Sequence, residues 1–285
     1  MELNNTPIRT SKNFNINNIK LDVEMPAVTE NFKNIKMPQC ASILKEDLNF
    51  KFGVGLGFEN SNNKIKIDLN NSEEKIVYNF DDENLSLINQ ILINAMGDST
   101  ITIEYRASTA KKCFRNTGIK LFANEDARVN VNIINFMNET SDNFETIENV
   151  LEKNSNVNYT IIDIGGKTSV SNYYSSVNGE NSTNDIKTVY LGTDNQIKDL
   201  NYIVELYGKK TNVDIDVQGS LSDKAKKHFK GTIDFKKGSK KAKGNENEYC
   251  MLLSKDAKSI ALPMLLCSED DVSRKSFNCF RQSGW

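Results

Sequence analysis

Three side chains that can bind a metal ion stand close together near the C-terminal end of the sequence. Cys267, Glu269 and Asp271 occupy alternate positions after a short apolar run. A cysteine thiolate can bind iron or carry sulfur, and neighbouring carboxylates can add hard oxygen ligands. The pattern makes these three residues candidate metal ligands, although a single cysteine on an apolar strand is more often a small core residue.

The other residues with metal-binding or nucleophilic chemistry are scattered. Cys250 lies in an apolar stretch, which favours a core position, and Cys40, Cys113 and Cys279 form no ligand spacing with their neighbours. His228 is the only histidine and is flanked by lysines, which predicts a solvated strand position. A single imidazole supports neither a histidine-rich metal site nor an ordinary serine-histidine-aspartate arrangement.

Residues 164–168, Ile-Gly-Gly-Lys-Thr, are similar to the end of a phosphate-binding loop. That loop requires a glycine where this sequence has Ile161. We therefore expect a turn between two strands at this point and no nucleotide bound by this chain.

A dense basic stretch runs from residue 224 to residue 243. It consists of Lys224, Lys226, Lys227, Lys230, Lys236, Lys237, Lys240, Lys241 and Lys243. Such a stretch can bind an acidic partner or nucleic acid. Alternation along strands favours the other interpretation, lysines on the outer face of a sheet, where they also discourage edge pairing. The formal net charge of -2 argues against a general nucleic-acid binder.

The elements that carry these residues are predicted to be short strands. Apolar and polar residues alternate at 64–69, 100–105, 128–133 and 212–217. A half-buried strand requires this alternation because successive side chains point to opposite faces. Residues 84–95 carry an apolar stripe that fits either a helix or a strand.

Small-residue turns recur about every 28 residues. They begin at Asn71, Asp98, Asp126, Asn154, Asn181 and Gly238, and one turn is missing near Lys210. Asn, Asp and Gly tolerate the left-handed backbone of a tight corner. A repeat of two strands and two corners predicts an all-β protein folded as a β-solenoid. The alternative, a β-sandwich, has turns about every 8–12 residues.

The sequence divides into three segments. Residues 1–48 are polar and contain three of the four prolines, which predicts an irregular or partly helical lead-in. Residues 49–272 form the predicted β-helix core, and residues 273–285 form an atypical tail. Five cysteines, an odd number without close spacing, indicate a reducing compartment. Because the N-terminus has no apolar signal segment and no stretch approaches a membrane span, we expect a cytoplasmic protein with no membrane partner.

The most specific pattern in the sequence lies between Gly219 and Val272. It combines the lysine stretch, the segment Leu252-Leu253-Ser254 and the run from Pro263 to Val272 in a fixed order. This order is similar to the core signature of the SufB/SufD family, and of its SufD members in particular. Residues 192–196 and 199–202 also resemble the family, and the coil pattern extends the likeness back to Ile91.

The resemblance implies a right-handed parallel β-helix that acts as a scaffold and not as an enzyme. Members of the family pair with a second SufB/SufD-type subunit, bind the SufC ATPase, and build a transient iron–sulfur cluster for transfer to apo-proteins. Cys267, Glu269 and Asp271 are then the nearest candidate ligands for such a cluster.

Three features depart from the family pattern. The family histidine after the Asp-Asp-Val run is Ser276 here, and the cysteine implicated in SufB corresponds to Ala257. The C-terminal helical region that docks the ATPase is replaced by residues 273–285, so we expect the ATPase contact to be weakened.

Two other functions fit the same fold. A β-helix can bind or cleave acidic polysaccharide, with the lysine stretch as the contact surface. It can also be a purely structural partner that holds another subunit through an open coil end, where backbone groups are unpaired.

Overall fold

The computed structural model describes residues 2–7, 17–22, 24–27, 30–53 and 57–282. Parts of the predicted lead-in and the last three residues of the predicted tail lie outside these ranges. No helix in the described part of the chain is long and apolar enough to cross a membrane.

The chain begins with short elements and continues as a series of longer strands. The short elements are β1 (Glu2–Leu3), β2 (Ile19–Lys20), β3 (Ile35–Lys36), β4 (Ala41–Ile43) and a 3-10 turn at Phe58–Asn60. The longer strands are β5 (Asn63–Asn70), β6 (Glu73–Phe80), β7 (Ser86–Met96), β8 (Asp98–Ala107), β9 (Phe114–Ala123), β10 (Arg128–Phe136), β11 (Asp142–Leu151), β12 (Asn156–Ile164), β13 (Thr168–Val177), β14 (Thr183–Gly192), β15 (Ile197–Leu206), β16 (Asn212–Leu221), β17 (Lys226–Phe235), β18 (Ala242–Leu252), β19 (Lys258–Cys267) and β20 (Val272–Gln282).

The longer strands alternate between two nine-stranded sheets. We call the sheet of β3 and the even-numbered strands β6 to β20 the open sheet, and the sheet of β4 and the odd-numbered strands β5 to β19 the covered sheet. From β5 onward all neighbours within a sheet are parallel, whereas β3 and β4 join antiparallel. The fold is a parallel β-solenoid of about eight turns, which confirms the predicted fold class.

The predicted corners coincide with left-handed backbone. The angle φ is positive at Asn71 (51°), Asp126 (63°), Asn154 (57°) and Asn181 (62°). The missing corner is Lys210, with φ of 56°, and Gly97 takes the left-handed conformation beside the turn predicted at Asp98. From Asp126 onward, the N–H of the corner residue bonds to a carbonyl of the next coil: Asp126 to Lys153 at 3.0 Å, and likewise for Asn154, Asn181 and Lys210. The corners therefore stack as the repeat predicted.

The outer faces of the two sheets differ because the described N-terminal residues Leu3 and Ile19 pack on the covered sheet. Strand β10 of the open sheet alternates between buried and more exposed residues, whereas nearly every residue of β11 and β13 is buried. Leu3 and Ile19 of the lead-in pack with Ile88, Phe114 and Phe144 in a hydrophobic cluster on the covered sheet. The lead-in thus serves as a third layer over that sheet.

The inward side chains of the two sheets form the main core. Equivalent positions stack in register, so that Ile76, Ile103, Ile133 and Ile161 form one column. On the covered sheet, the ring of Tyr202 lies between those of Tyr173 and Phe229, with centroids 5.6 Å and 5.8 Å away.

Two segments whose secondary structure the sequence left open lie in strands. Residues 84–95, which fitted a helix or a strand, lie mostly in β7, and the described residues contain no α-helix, in the lead-in or elsewhere. In the segment that we predicted as an atypical tail, β20 pairs with β18 from Val272 to Gln282. Residues 273–282 therefore lie in the open sheet.

Candidate functional site

The three predicted metal ligands lie in the corner between β19 and β20. Cys267 is the exposed last residue of β19. The carboxylate of Glu269 accepts a hydrogen bond of 2.9 Å from the N–H of Gly238, and this bond lowers the pKa of Glu269. The carbonyl of Asp271 accepts a hydrogen bond of 2.6 Å from the N–H of Lys241. The corner is therefore tied to the coil before it and presents a sulfur and carboxylates together.

The geometry of this corner does not define a metal centre by itself. Among the described residues, no group of three or more His, Cys, Asp or Glu is arranged to hold a metal ion. Ala257, at the family cysteine position, is buried, and Ser276, at the family histidine position, is the register neighbour of Glu246. The ligand role of Cys267, Glu269 and Asp271 stays a prediction.

The lumen between the sheets contains buried charges in addition to its apolar core. Arg115 pairs with Glu145 at 3.1 Å, and both side chains are 2% exposed. Lys198 pairs with Asp163 of the opposite sheet at 3.1 Å and donates to the carbonyl of Gly165 at 2.6 Å. Because an unpaired buried charge is costly, removing one member of either pair would destabilise the coils.

The third of these pairs lies near the C-terminal end of the lumen. The ammonium of Lys227 is bonded to Glu248, and both side chains are fully buried. Three aromatic rings surround the ammonium, with centroids 5.7 Å (Tyr190), 5.8 Å (Phe229) and 5.6 Å (Phe280) away. Burial lowers the pKa of Lys227 and raises that of Glu248, because a dry environment disfavours both charges.

Glu246 is the buried acidic group of this part of the lumen with the fewest partners. Its side chain points into the same part of the lumen as that of Glu248, and neither of its oxygens has a hydrogen-bond partner. Burial, followed by the negative charge of Glu248, raises the pKa of Glu246 to about 8. A Cβ on Gly231 would collide with this carboxyl group, so the glycine provides the room that it occupies.

A second polar cluster lies on the outer face of the covered sheet. Asp199 accepts hydrogen bonds from Lys230 at 2.6 Å and from Asn4 of the lead-in at 2.5 Å. The Nδ1 atom of His228 is 3.4 Å from the other oxygen of Asp199. Although burial raises the pKa of Asp199, the nearby His228 and the charge of Lys230 hold it below its usual value. The cluster anchors the N-terminal residues to the sheet.

These two clusters correct two sequence predictions. Lys227 and Lys230 are buried in ion pairs, so the lysine stretch is not one continuous outer surface. His228 is only 27% exposed and faces Asp199, so it is not a freely solvated residue. The predicted turn at Gly165 and Gly166 is confirmed, with φ of 83° and 74°, and Cys250 is a buried core residue as expected.

Sequence reasoning missed the charged residues of the lumen. Their signal lies in register: Arg115, Asn143, Ser169, Lys198 and Lys227 form one inward column of the covered sheet. Aligning the strands on the repeat would have placed these polar residues at an inward position.

Fold and site together define a parallel β-solenoid with a charged lumen and an end corner that presents sulfur and carboxylate groups. A comparison with protein families identifies the family to which the sequence belongs. Residues 78–276 match the family described as SUF system FeS cluster assembly, SufBD core domain, which is more than half of the chain. The chain belongs to this family, as the pattern in residues 219–272 predicted.

One characterised relative is the iron-sulfur cluster assembly protein SufD of Bacillus subtilis (strain 168). It is 23% identical over 201 residues, which cover 69% of this chain and 46% of the relative. The chain thus spans less than half the length of that protein.

Proposed function

We propose that this chain is a non-catalytic scaffold subunit that presents ligands for a transient iron–sulfur cluster at the end of its solenoid. The observation that supports this role is the exposed sulfur of Cys267 at the last residue of β19, with Glu269 and Asp271 in the corner that follows. Thiolate sulfur is the usual protein ligand of such clusters, and carboxylates can supply hard donors for iron before the cluster is complete.

The proposed partners are a second SufB/SufD-type subunit and a SufC-like ATPase. Within the described residues, β20 pairs with β18 and lies in the open sheet. Phe277 of β20 is 62% exposed and adds apolar surface there. We propose the ATPase contact from the SUF family membership, and we propose that the complex acts in the cytoplasm.

Anaerobic reconstitution with iron and sulfide tests the ligand role. We expect thiolate-to-iron absorption that weakens clearly in Cys267→Ser. The matched control is Cys113→Ser, because Cys113 is fully buried near the other end of the core. Spectra that are identical for the wild type and Cys267→Ser would remove Cys267 from the site.

Co-purification with a SufC-like ATPase tests the partner role. A retained complex supports an active assembly scaffold. If the chain binds a SufB/SufD-type subunit but no ATPase, its role is that of a structural partner, which contradicts the proposal for the ATPase.

A further inference from the structure

Near the C-terminal end of the lumen, several buried oxygen atoms have no hydrogen-bond partner. One is the hydroxyl of Tyr190, and the four of carboxyl and amide groups are Oε1 and Oε2 of Glu246, Oε2 of Glu248 and Oδ1 of Asn278. Glu246 and Glu248 are alternate residues of β18 and are 0% and 1% exposed. Asn278 of β20 is the register neighbour of Glu248. Neighbouring strands therefore hold these three side chains next to one another.

The carboxyl and amide oxygens differ from a second group of unsatisfied polar atoms in the lumen. Around Arg115 and Asn143 the unpaired atoms include N–H donors as well as oxygens, and they border a cavity of 10 Å³. One water molecule can satisfy both kinds of atom there. When ionised, Glu246 and Glu248 offer acceptors only, and the Lys227 ammonium bonds to the other oxygen of Glu248. A metal cation can bind these carboxyl and amide oxygens directly, and unlike a water molecule it has no lone pairs that need a hydrogen-bond donor.

The charges around the cluster favour a cation as well. Glu246, with its pKa near 8, must lose its proton when a cation binds at neutral pH; two carboxylates and one ammonium then leave a net negative charge for the cation to balance. Carboxylate and amide oxygens are the ligands preferred by Mg²⁺ and Mn²⁺. We propose that Glu246, Glu248 and Asn278 form a binding site for a hard divalent cation inside the last coils of the solenoid.

The proposed cation site is separate from the corner that contains Cys267. The carboxylate of Glu269 in that corner is already bonded to the N–H of Gly238, and the corner residues Cys267 and Asp271 are exposed. The lumen site uses only oxygen donors and needs neither a sulfur ligand nor a partner subunit. It can therefore be tested on the isolated full chain, whatever the outcome for the proposed scaffold role.

Binding of Mn²⁺ alone to the full chain tests the site. The electron paramagnetic resonance signal of free Mn²⁺ disappears when the ion is bound, so a titration gives stoichiometry and affinity. We expect one Mn²⁺ per chain, at least about tenfold weaker binding in Glu246→Gln, and weaker binding in Asn278→Ala. The matched control Glu180→Gln, whose exposed carboxylate pairs with Lys210 far from both sites in sequence, should bind as the wild type does.

Far-UV circular dichroism confirms that Glu246→Gln, which keeps the shape of the side chain, retains the fold. An unchanged free Mn²⁺ signal with the wild-type chain would overturn the proposal. Equal affinity in the wild type and Glu246→Gln would also overturn it. Binding that is lost in Glu269→Gln instead would assign the ion to the corner and contradict the lumen site.

Discussion

Replacing Glu205 with glutamine should loosen the segment that crosses the covered sheet after the lead-in. The carboxylate of Glu205 is 9% exposed and forms an ion pair with the ammonium of Lys51 in that segment at 2.5 Å. It also accepts bonds from Tyr174 (2.6 Å) and Tyr207 (2.9 Å) and pairs with Lys236 at 3.0 Å. Burial alone would raise the pKa of Glu205, but these donors outweigh it and lower the pKa to about 2.

The size of the effect follows from this pKa. A change from the ordinary 4.5 to about 2 corresponds to about 3 kcal/mol of stabilisation at neutral pH. The carboxylate is favoured in the folded state, so its contribution is complete above pH 4.5 and is lost as the pH falls through the folded pKa. We therefore expect Glu205→Gln to lower the free energy of unfolding by about 3 kcal/mol at pH 7, and by about half of that at pH 3.

Urea unfolding followed by circular dichroism measures the difference at each pH, and limited proteolysis reports release of the segment around Lys51. The matched control is Glu180→Gln. Its carboxylate is exposed and pairs with Lys210 alone at 2.9 Å, so solvent screens the interaction and no measurable change is expected. The argument fails if Glu205→Gln is as stable as the wild type, or if the difference does not shrink in acid.

Three other substitutions test the lumen and the corners. Lys227→Met leaves Glu248 buried without its partner and should lower the free energy of urea unfolding by about 3–5 kcal/mol. Lys227→Met combined with Glu248→Gln should recover most of this loss. If the single and the double variant are equally destabilised, the ion pair is contradicted. Gly165→Ala combines a positive φ with a collision against a backbone carbonyl, so thermal melts should show a larger loss than for Gly238→Ala, which has positive φ but open space. Lys210→Asn should stabilise the chain by up to about 1 kcal/mol because asparagine tolerates the left-handed corner better, and a lower melting temperature would contradict this.

The coils and most corners could be predicted from the sequence because both leave a local signal. Three of the four alternating segments, at 100–105, 128–133 and 212–217, lie in the open sheet, whose outer face is in contact with solvent. Strand β7 gave an ambiguous signal because both of its faces are buried: Ile91 faces the lumen, while Ile88 packs under the lead-in. Alternation disappears when a third layer covers a sheet, and no local pattern shows that such a layer is present.

The site was predicted less well for a related reason. Cys267, Glu269 and Asp271 were found because they are close in sequence, and they do share a corner. Lys227 and Glu248 are brought together only by the solenoid, since they lie on strands of opposite sheets. Lysine and glutamate are usually solvent-exposed residue types, and only the register of the coils shows that these two face inward.

The charged lumen is difficult to explain as a means of stabilising the fold. Buried ion pairs such as that of Arg115 and Glu145 are often matched or exceeded in stability by well-packed apolar residues of similar volume. A solenoid can stack apolar columns along its whole length, as the column from Ile76 to Ile161 shows. Near its C-terminal end this lumen instead holds Glu246, whose oxygens have no partner at all. Unsatisfied acidic groups at that position are better explained by a ligand that they bind than by the folding of the chain.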